Sequence, residues 1–70
     1  MGEPEFLQLG LKIKKLRTAK KLTQNQFANL CEFEKASMSR IESGRTNLTL
    51  RSLYKISNAL DVHITVLFSE

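Results

Sequence analysis

The sequence predicts an all-α domain of five helices, and three observations carry that prediction. Apolar residues recur at spacings of three and four rather than two. Glycine and proline are scarce, three and one in 70 residues. The same apolar pair, five residues apart around a prospective helix start, occurs four times. No β-branched alternation persists long enough to require a strand.

Each element follows in order. Pro4 can occupy the first turn of helix 1, where its missing N–H costs nothing. Phe6, Leu9, Ile13 and Leu16 then form one apolar stripe, which carries the helix to about Lys20. Leu7 and Leu11 fall off that stripe. Thr23 followed by Gln26 is a capping box that starts helix 2 near Gln24, with Leu22 and Phe27 as a hydrophobic staple across it. The staple recurs as Phe33 with Met38, Leu48 with Leu53, and Val62 with Leu67, so further helices begin near Lys35, Leu50 and Ile64. Gly44, the residue most able to take left-handed geometry, closes helix 3. Leu53, Ile56 and Leu60 give helix 4 its buried stripe, and Ile64, Leu67 and Phe68 do so for a short helix 5.

A chain of this length forms one domain, residues 1–70, and buries only about 60% of its unfolded surface. Hydrophobic residues at 41% and charged ones at 26% are ordinary globular composition, too apolar for a disordered tail. The net charge of +4 is unevenly spread. All eleven Lys and Arg lie between Lys12 and Lys55, where Glu32, Glu34 and Glu42 are the only acids, a local balance of +8. Glu3, Glu5, Asp61 and Glu70 lie near the ends. A basic centre with acidic flanks suits a polyanion held on one face, the alternative being lysines that are merely solvated.

Cys31 is the single cysteine, so an intrachain disulfide is impossible, and no His or acidic cluster joins it at metal-ligand spacing. A core position in a reducing cytosol fits it best. The run M-G-E-P-E-F is acidic and lacks the apolar segment of a leader, and no apolar run approaches the roughly 18 residues of a membrane span. Neither secretion nor membrane insertion is expected. His63 stands alone, as a cap of helix 5 or a surface residue, and neither Cys31 nor any serine has a local activating group, so no enzyme is expected.

Helix 3 has two unlike sides. At roughly 100° per residue, Met38, Ile41 and Glu42 share one side and Ala36, Ser39, Arg40 and Ser43 the other, with Lys35 on the boundary. The first side must meet the core. The second offers a small side chain, two hydroxyls and a guanidinium, a mixture suited to base edges and phosphates, although an ordinary solvated face has the same look. Glu42 is costly on a buried side unless paired. Arg17 lies within about 40° of Ile13 on the helix 1 wheel, so a partly buried Arg17–Glu42 ion pair tying helix 1 to helix 3 is expected; two independent surface charges are the alternative.

The runs L-G-L-K-I-K-K-L-R, L-T-Q-N-Q-F-A, S-M-S-R-I-E-S-G and N-L-T-L-R-S-L-Y-K-I-S-N-A-L-D-V together resemble the lambda-repressor-like helix-turn-helix family, also called the XRE or Cro/C1 type. The likeness covers about Leu9 to Phe68. It implies a compact five-helix DNA-binding domain whose helices 2 and 3 form the helix-turn-helix, with helix 3 in the major groove of a two-fold-related site. Ala28 matches the small residue that lets the two helices approach. Lys35, Ala36, Ser39 and Arg40 match base-reading positions. Gln24, Ser37, Ser43, Arg45, Thr46 and Asn47 fall where the DNA backbone is met. Arg17 and Glu42 coincide with a charged pair frequent in the family.

Two residues depart from the family pattern. The turn position usually held by glycine is Glu32, which costs about 1–2 kcal/mol in a left-handed conformation. The usual Ser or Thr cap of helix 3 is Glu34, whose carboxylate favours the positive helix end but sits badly near phosphates. The resemblance implies a transcriptional regulator, an activator or a repressor, that binds double-stranded operator DNA as a homodimer; no cofactor, metal or small-molecule ligand is expected. Val66 and Phe68 are the candidates for the dimer surface, to which Leu7 and Leu11 can add. Closing the monomer core is their other reading. The rival function is an antitoxin or anti-regulator that chiefly binds a partner protein.

Overall fold

The computed structural model describes residues 4–69. Four α-helices, α1 (Pro4–Ala19), α2 (Gln24–Leu30), α3 (Lys35–Glu42) and α4 (Leu50–Leu60), lead into a 3-10 helix (Ile64–Phe68), with no strand among the described residues. All four expected starts, Gln24, Lys35, Leu50 and Ile64, are the observed ones. The fifth element differs in type: five residues allow little more than one turn, for which the tighter i→i+3 bonding suffices. No helix among the described residues is long and apolar enough to cross a membrane.

The connections are short because one device serves two helices at once. α1, α2 and α4 each end on a residue in left-handed conformation, Lys21 (φ 60°), Glu32 (φ 61°) and Asp61 (φ 57°). The next residue, Leu22, Phe33 or Val62, donates its amide back to Arg17, Ala28 or Ser57 at 3.3, 2.8 and 3.0 Å. That same apolar residue is the first member of the staple that opens the following helix. It is followed at once by the N-cap, Thr23, Glu34 or His63. Thr23 and Gln26 form both halves of the capping box, and the His63 ring nitrogen accepts from the Thr65 amide at 3.3 Å.

Only α3 ends on glycine: Gly44 has φ 73°, and Arg45 N–H reaches the Arg40 carbonyl at 2.9 Å. At the other three ends a side chain bears the left-handed strain, which for a residue with a Cβ costs roughly 1–2 kcal/mol. Glu32→Gly should therefore stabilise the domain by about 0.5–1 kcal/mol once the entropy cost of glycine is set against the relief. Its exposed ion pair with Lys55, at 3.6 Å, gives little in return. A thermal melt should show a midpoint a few degrees higher; an unchanged or lower midpoint removes the strain argument.

The core joins Leu9 and Ile13 of α1, Phe27 and Ala28 of α2, Met38 and Ile41 of α3, and Leu53, Ile56 and Leu60 of α4 with Leu67. Cys31 is buried with them. Desolvation pushes its thiol up to about 11, against a smaller lowering by Lys55, so it stays a protonated core side chain at neutral pH. Leu67 enters the core as expected. Phe68 does not: it is 61% exposed, because successive residues of so tight a turn cannot all face inward, and only Leu67 lies beneath α1 and α4.

Candidate nucleic-acid interface

The two sides of α3 separate as the wheel requires. Met38, Ile41 and Glu42 are buried, whereas Lys35, Ala36, Ser39, Arg40 and Ser43 are exposed and Ser37 is half-buried. α2 and α1 both lie against the inner side. Ala28, on α2, is fully buried in the core to which α2 and α3 both contribute.

A polar hub fixes the angle of α3. Arg17, 8% exposed in the last turn of α1, donates through Nε to Glu42 Oε2 at 2.7 Å and through Nη2 to Glu42 Oε1 at 3.1 Å. Its Nη1 donates to the Leu22 carbonyl at 2.7 Å, and Gln24 Nε2 donates to Glu42 Oε1 at 3.1 Å. The end of α1, the start of α2 and the end of α3 thus meet on the Glu42 carboxylate, and the same guanidinium ties in the corner after α1. A forked guanidinium–carboxylate pair restricts orientation as well as distance. Each buried side-chain polar atom among the described residues has a partner, so the hub carries no orphan group.

Sequence reasoning reached the ion pair but missed Gln24 as its third member. Gln24 lies 18 residues from Glu42, and no local pattern announces such a contact. One amide N–H of Gln24 is thereby committed within the protein, while the half-buried side chain keeps its carbonyl oxygen and its other N–H.

Beyond α3 the loop places Arg45 and Asn47 in solvent and Thr46 half-buried. A cleft of about 220 Å³ runs between α3 and this loop, bordered by Ser37, Arg40, Thr46, Asn47 and Ser52. Ser52, in the first turn of α4, is a border residue that the sequence did not single out. Ser43 turns its hydroxyl back to the carbonyls of Ser39 and Arg40 at 2.9 and 3.2 Å. Lys35, Arg40 and Arg45 have no ion-pair partner among the described residues, where the pairs are Arg17–Glu42 and Lys55–Glu32. A separate groove of about 450 Å³ between α1 and the 3-10 helix has Leu9, Leu11, Leu67 and Phe68 among its walls. Phe68, Leu7 and Leu11 are exposed and Val66 is half-buried.

A short helix locked against its predecessor across a tight turn, with free cations and hydroxyls along its outer edge, defines a DNA-binding helix-turn-helix domain. The family model described as helix-turn-helix matches residues 13–67, and the chain belongs to this family of DNA-binding transcription regulators, of the Cro/C1 (XRE) type. It is 38% identical over 65 residues to the control protein C.MunI of Mycoplasma sp, covering 91% of this chain and 88% of that one. Among solved structures it is similar to the restriction-modification controller protein C.AhdI from Aeromonas hydrophila, with a TM-score of 0.92 and 30% identity over 94% of this chain and 100% of that one. It is also similar to the wild-type restriction-modification controller protein C.Esp1396I, with a TM-score of 0.86 and 32% identity over 94% and 86% of the respective chains.

Proposed function

We propose that this regulator controls transcription at a restriction–modification locus by binding a two-fold operator as a homodimer, with α3 of each copy in a major groove. The observation that carries the reading is the exposed edge of α3, held at a set angle by the Arg17–Glu42–Gln24 hub. Likeness to proteins described as controllers of restriction–modification supports the biological setting.

In this reading Lys35, Ala36, Ser39 and Arg40 meet base edges. Lysine and arginine suit guanine, and Ala36 offers apolar contact such as a thymine methyl provides. Gln24, Ser37, Arg45, Thr46 and Asn47 meet phosphates, which supply affinity and register rather than sequence choice, and Ser43 joins them only by turning its hydroxyl away from the Ser39 and Arg40 carbonyls. Ser37, Thr46 and Asn47 border one cleft with Arg40, so base and backbone contacts adjoin there. The second copy docks on the apolar surface of Val66 and Phe68, extended by Leu7 and Leu11. Dimerisation coupled to binding makes occupancy depend steeply on protein concentration.

Selection of duplexes from a random pool, followed by a salt titration, tests this function. Two enriched half-sites should emerge about one helical turn apart. Lys35→Ala and Arg40→Ala should each cost about 1–3 kcal/mol and relax preference at particular positions, whereas Arg45→Ala should weaken all duplexes alike and lower the salt slope by about 1. Uniform losses across sequences for all three variants would contradict the division of roles.

A further inference from the structure

Three acids lie within the cationic stretch, and two of them are engaged: Glu42 with Arg17, and Glu32 with Lys55. The third, Glu34, has no ion-pair or side-chain hydrogen-bond partner among the described residues. It is the N-cap of α3, with extended backbone (φ −73°, ψ 150°), yet its carboxylate makes no capping bond. Its backbone carbonyl already accepts the Met38 amide at 3.1 Å, which any residue could do. The side chain is exposed and adjoins Lys35 at the leading end of the helix. A negative group kept there serves no internal contact, and against phosphate it is repulsive.

Against base edges the same group is selective. An ionised carboxylate only accepts hydrogen bonds, and the major-groove donors are the exocyclic amines of cytosine and adenine; guanine O6 and N7 and thymine O4 are acceptors. The neighbouring Lys35 is the converse, three donors and no acceptor, suited to guanine O6 and N7. The two adjacent side chains are therefore complementary to the two halves of a G·C pair. We infer that Glu34 is a specificity-determining residue: it accepts a hydrogen bond from the N4 amine of a cytosine in the half-site while Lys35 holds guanine in the same or the next pair. A thymine in that position would set an acceptor against the carboxylate and be rejected. This rests on the operator reading given above and adds to it a base whose identity an acidic residue chooses.

The test replaces each cytosine of the selected half-site in turn by 2-pyrimidinone, which lacks only the N4 amine, and measures binding by wild type, Glu34→Ala and Glu34→Gln. For one cytosine the wild type should lose about 10-fold in affinity, the order expected of a base-edge contact, while Glu34→Ala should lose nothing further. Glu34→Gln should move the preference at that position toward adenine, the base glutamine pairs through N6 and N7. Glu34→Ala should also bind unrelated duplexes more tightly at low salt, since a charge facing the phosphates has gone. Thermal melts of both variants should stay within a few degrees of wild type, because the carboxylate makes no capping bond and only its charge at the positive helix end is lost. If every cytosine shows the same loss in Glu34→Ala as in wild type, the inference fails while the operator reading stands. If the wild type enriches no half-site at all, the operator reading falls first and takes this one with it.

Discussion

Arg17→Ala should leave the domain largely unfolded at 25 °C. The guanidinium and the Glu42 carboxylate are both nearly excluded from water, at 8% and 5% exposure. Removing one strands the other and costs about 3–5 kcal/mol. A core in a domain of this size supplies only about 3–5 kcal/mol in all, so the loss is comparable to the whole stability. The Leu22 carbonyl loses its donor in the same step, and Gln24 is left as the one side chain bonded to the Glu42 carboxylate among the described residues. Replacing both charges, as in Arg17→Met with Glu42→Leu, should recover much of the loss, because most of the cost lies in the uncompensated charge rather than in the missing attraction. Circular-dichroism melts of the single and double variants check this. A single variant melting within a few degrees of wild type would show that the pair contributes little.

Gly10→Val should be the next most damaging change, although glycine inside a helix normally invites substitution. A Cβ at Gly10 would lie 2.7 Å from the Glu42 carbonyl oxygen and closer still to that of Ile41. Both are backbone atoms at the end of α3, so neither can swing aside as a side chain would. Replacing a helical glycine gains up to about 1 kcal/mol in propensity. Overpacking a close contact costs about 1–3 kcal/mol and sometimes more, and valine adds two methyl groups to the clash. The outcome should be a midpoint lower by several degrees, since 1 kcal/mol shifts a domain of this size by roughly 4–8 °C. Affinity for the selected duplex should fall as well, because relieving the clash moves α1 away from the helix it braces. Equal melting of Gly10→Val and wild type would refute the close approach.

Gly10 also marks where the sequence stopped being legible. Caps, staples and the period of the apolar stripes are local, so each helix start could be read from a few neighbouring residues, and the two sides of α3 followed from its period alone. Arg17 and Glu42 were legible because each is a charge on a side that must be buried, an inconsistency that a partner resolves. Gly10 carried no such sign, since its demand arises from a helix more than thirty residues away. Lys21 and Asp61 hid their left-handed geometry because neither is glycine; at Glu32 only the family pattern raised it. Phe68 misled in the opposite sense: spacing alone placed it inward, but a short 3-10 turn has too narrow an inner side to bury it beside Leu67. Of the candidate site, the exposed edge of α3 was predictable, whereas the cleft that Ser52 borders and the tie of Gln24 to Glu42 depend on how distant segments meet.

In the proposed function the outer edge of α3 meets duplex DNA. Amide and side-chain NMR shifts of the labelled protein, followed during titration with its selected duplex, test it most directly. The largest changes should fall on Lys35, Ala36, Ser39 and Arg40, with Gln24 and Arg45 to Asn47 beside them, and a scrambled duplex should move the second group more than the first. Changes concentrated around Leu7, Leu11 and Phe68, with α3 unmoved, would contradict it.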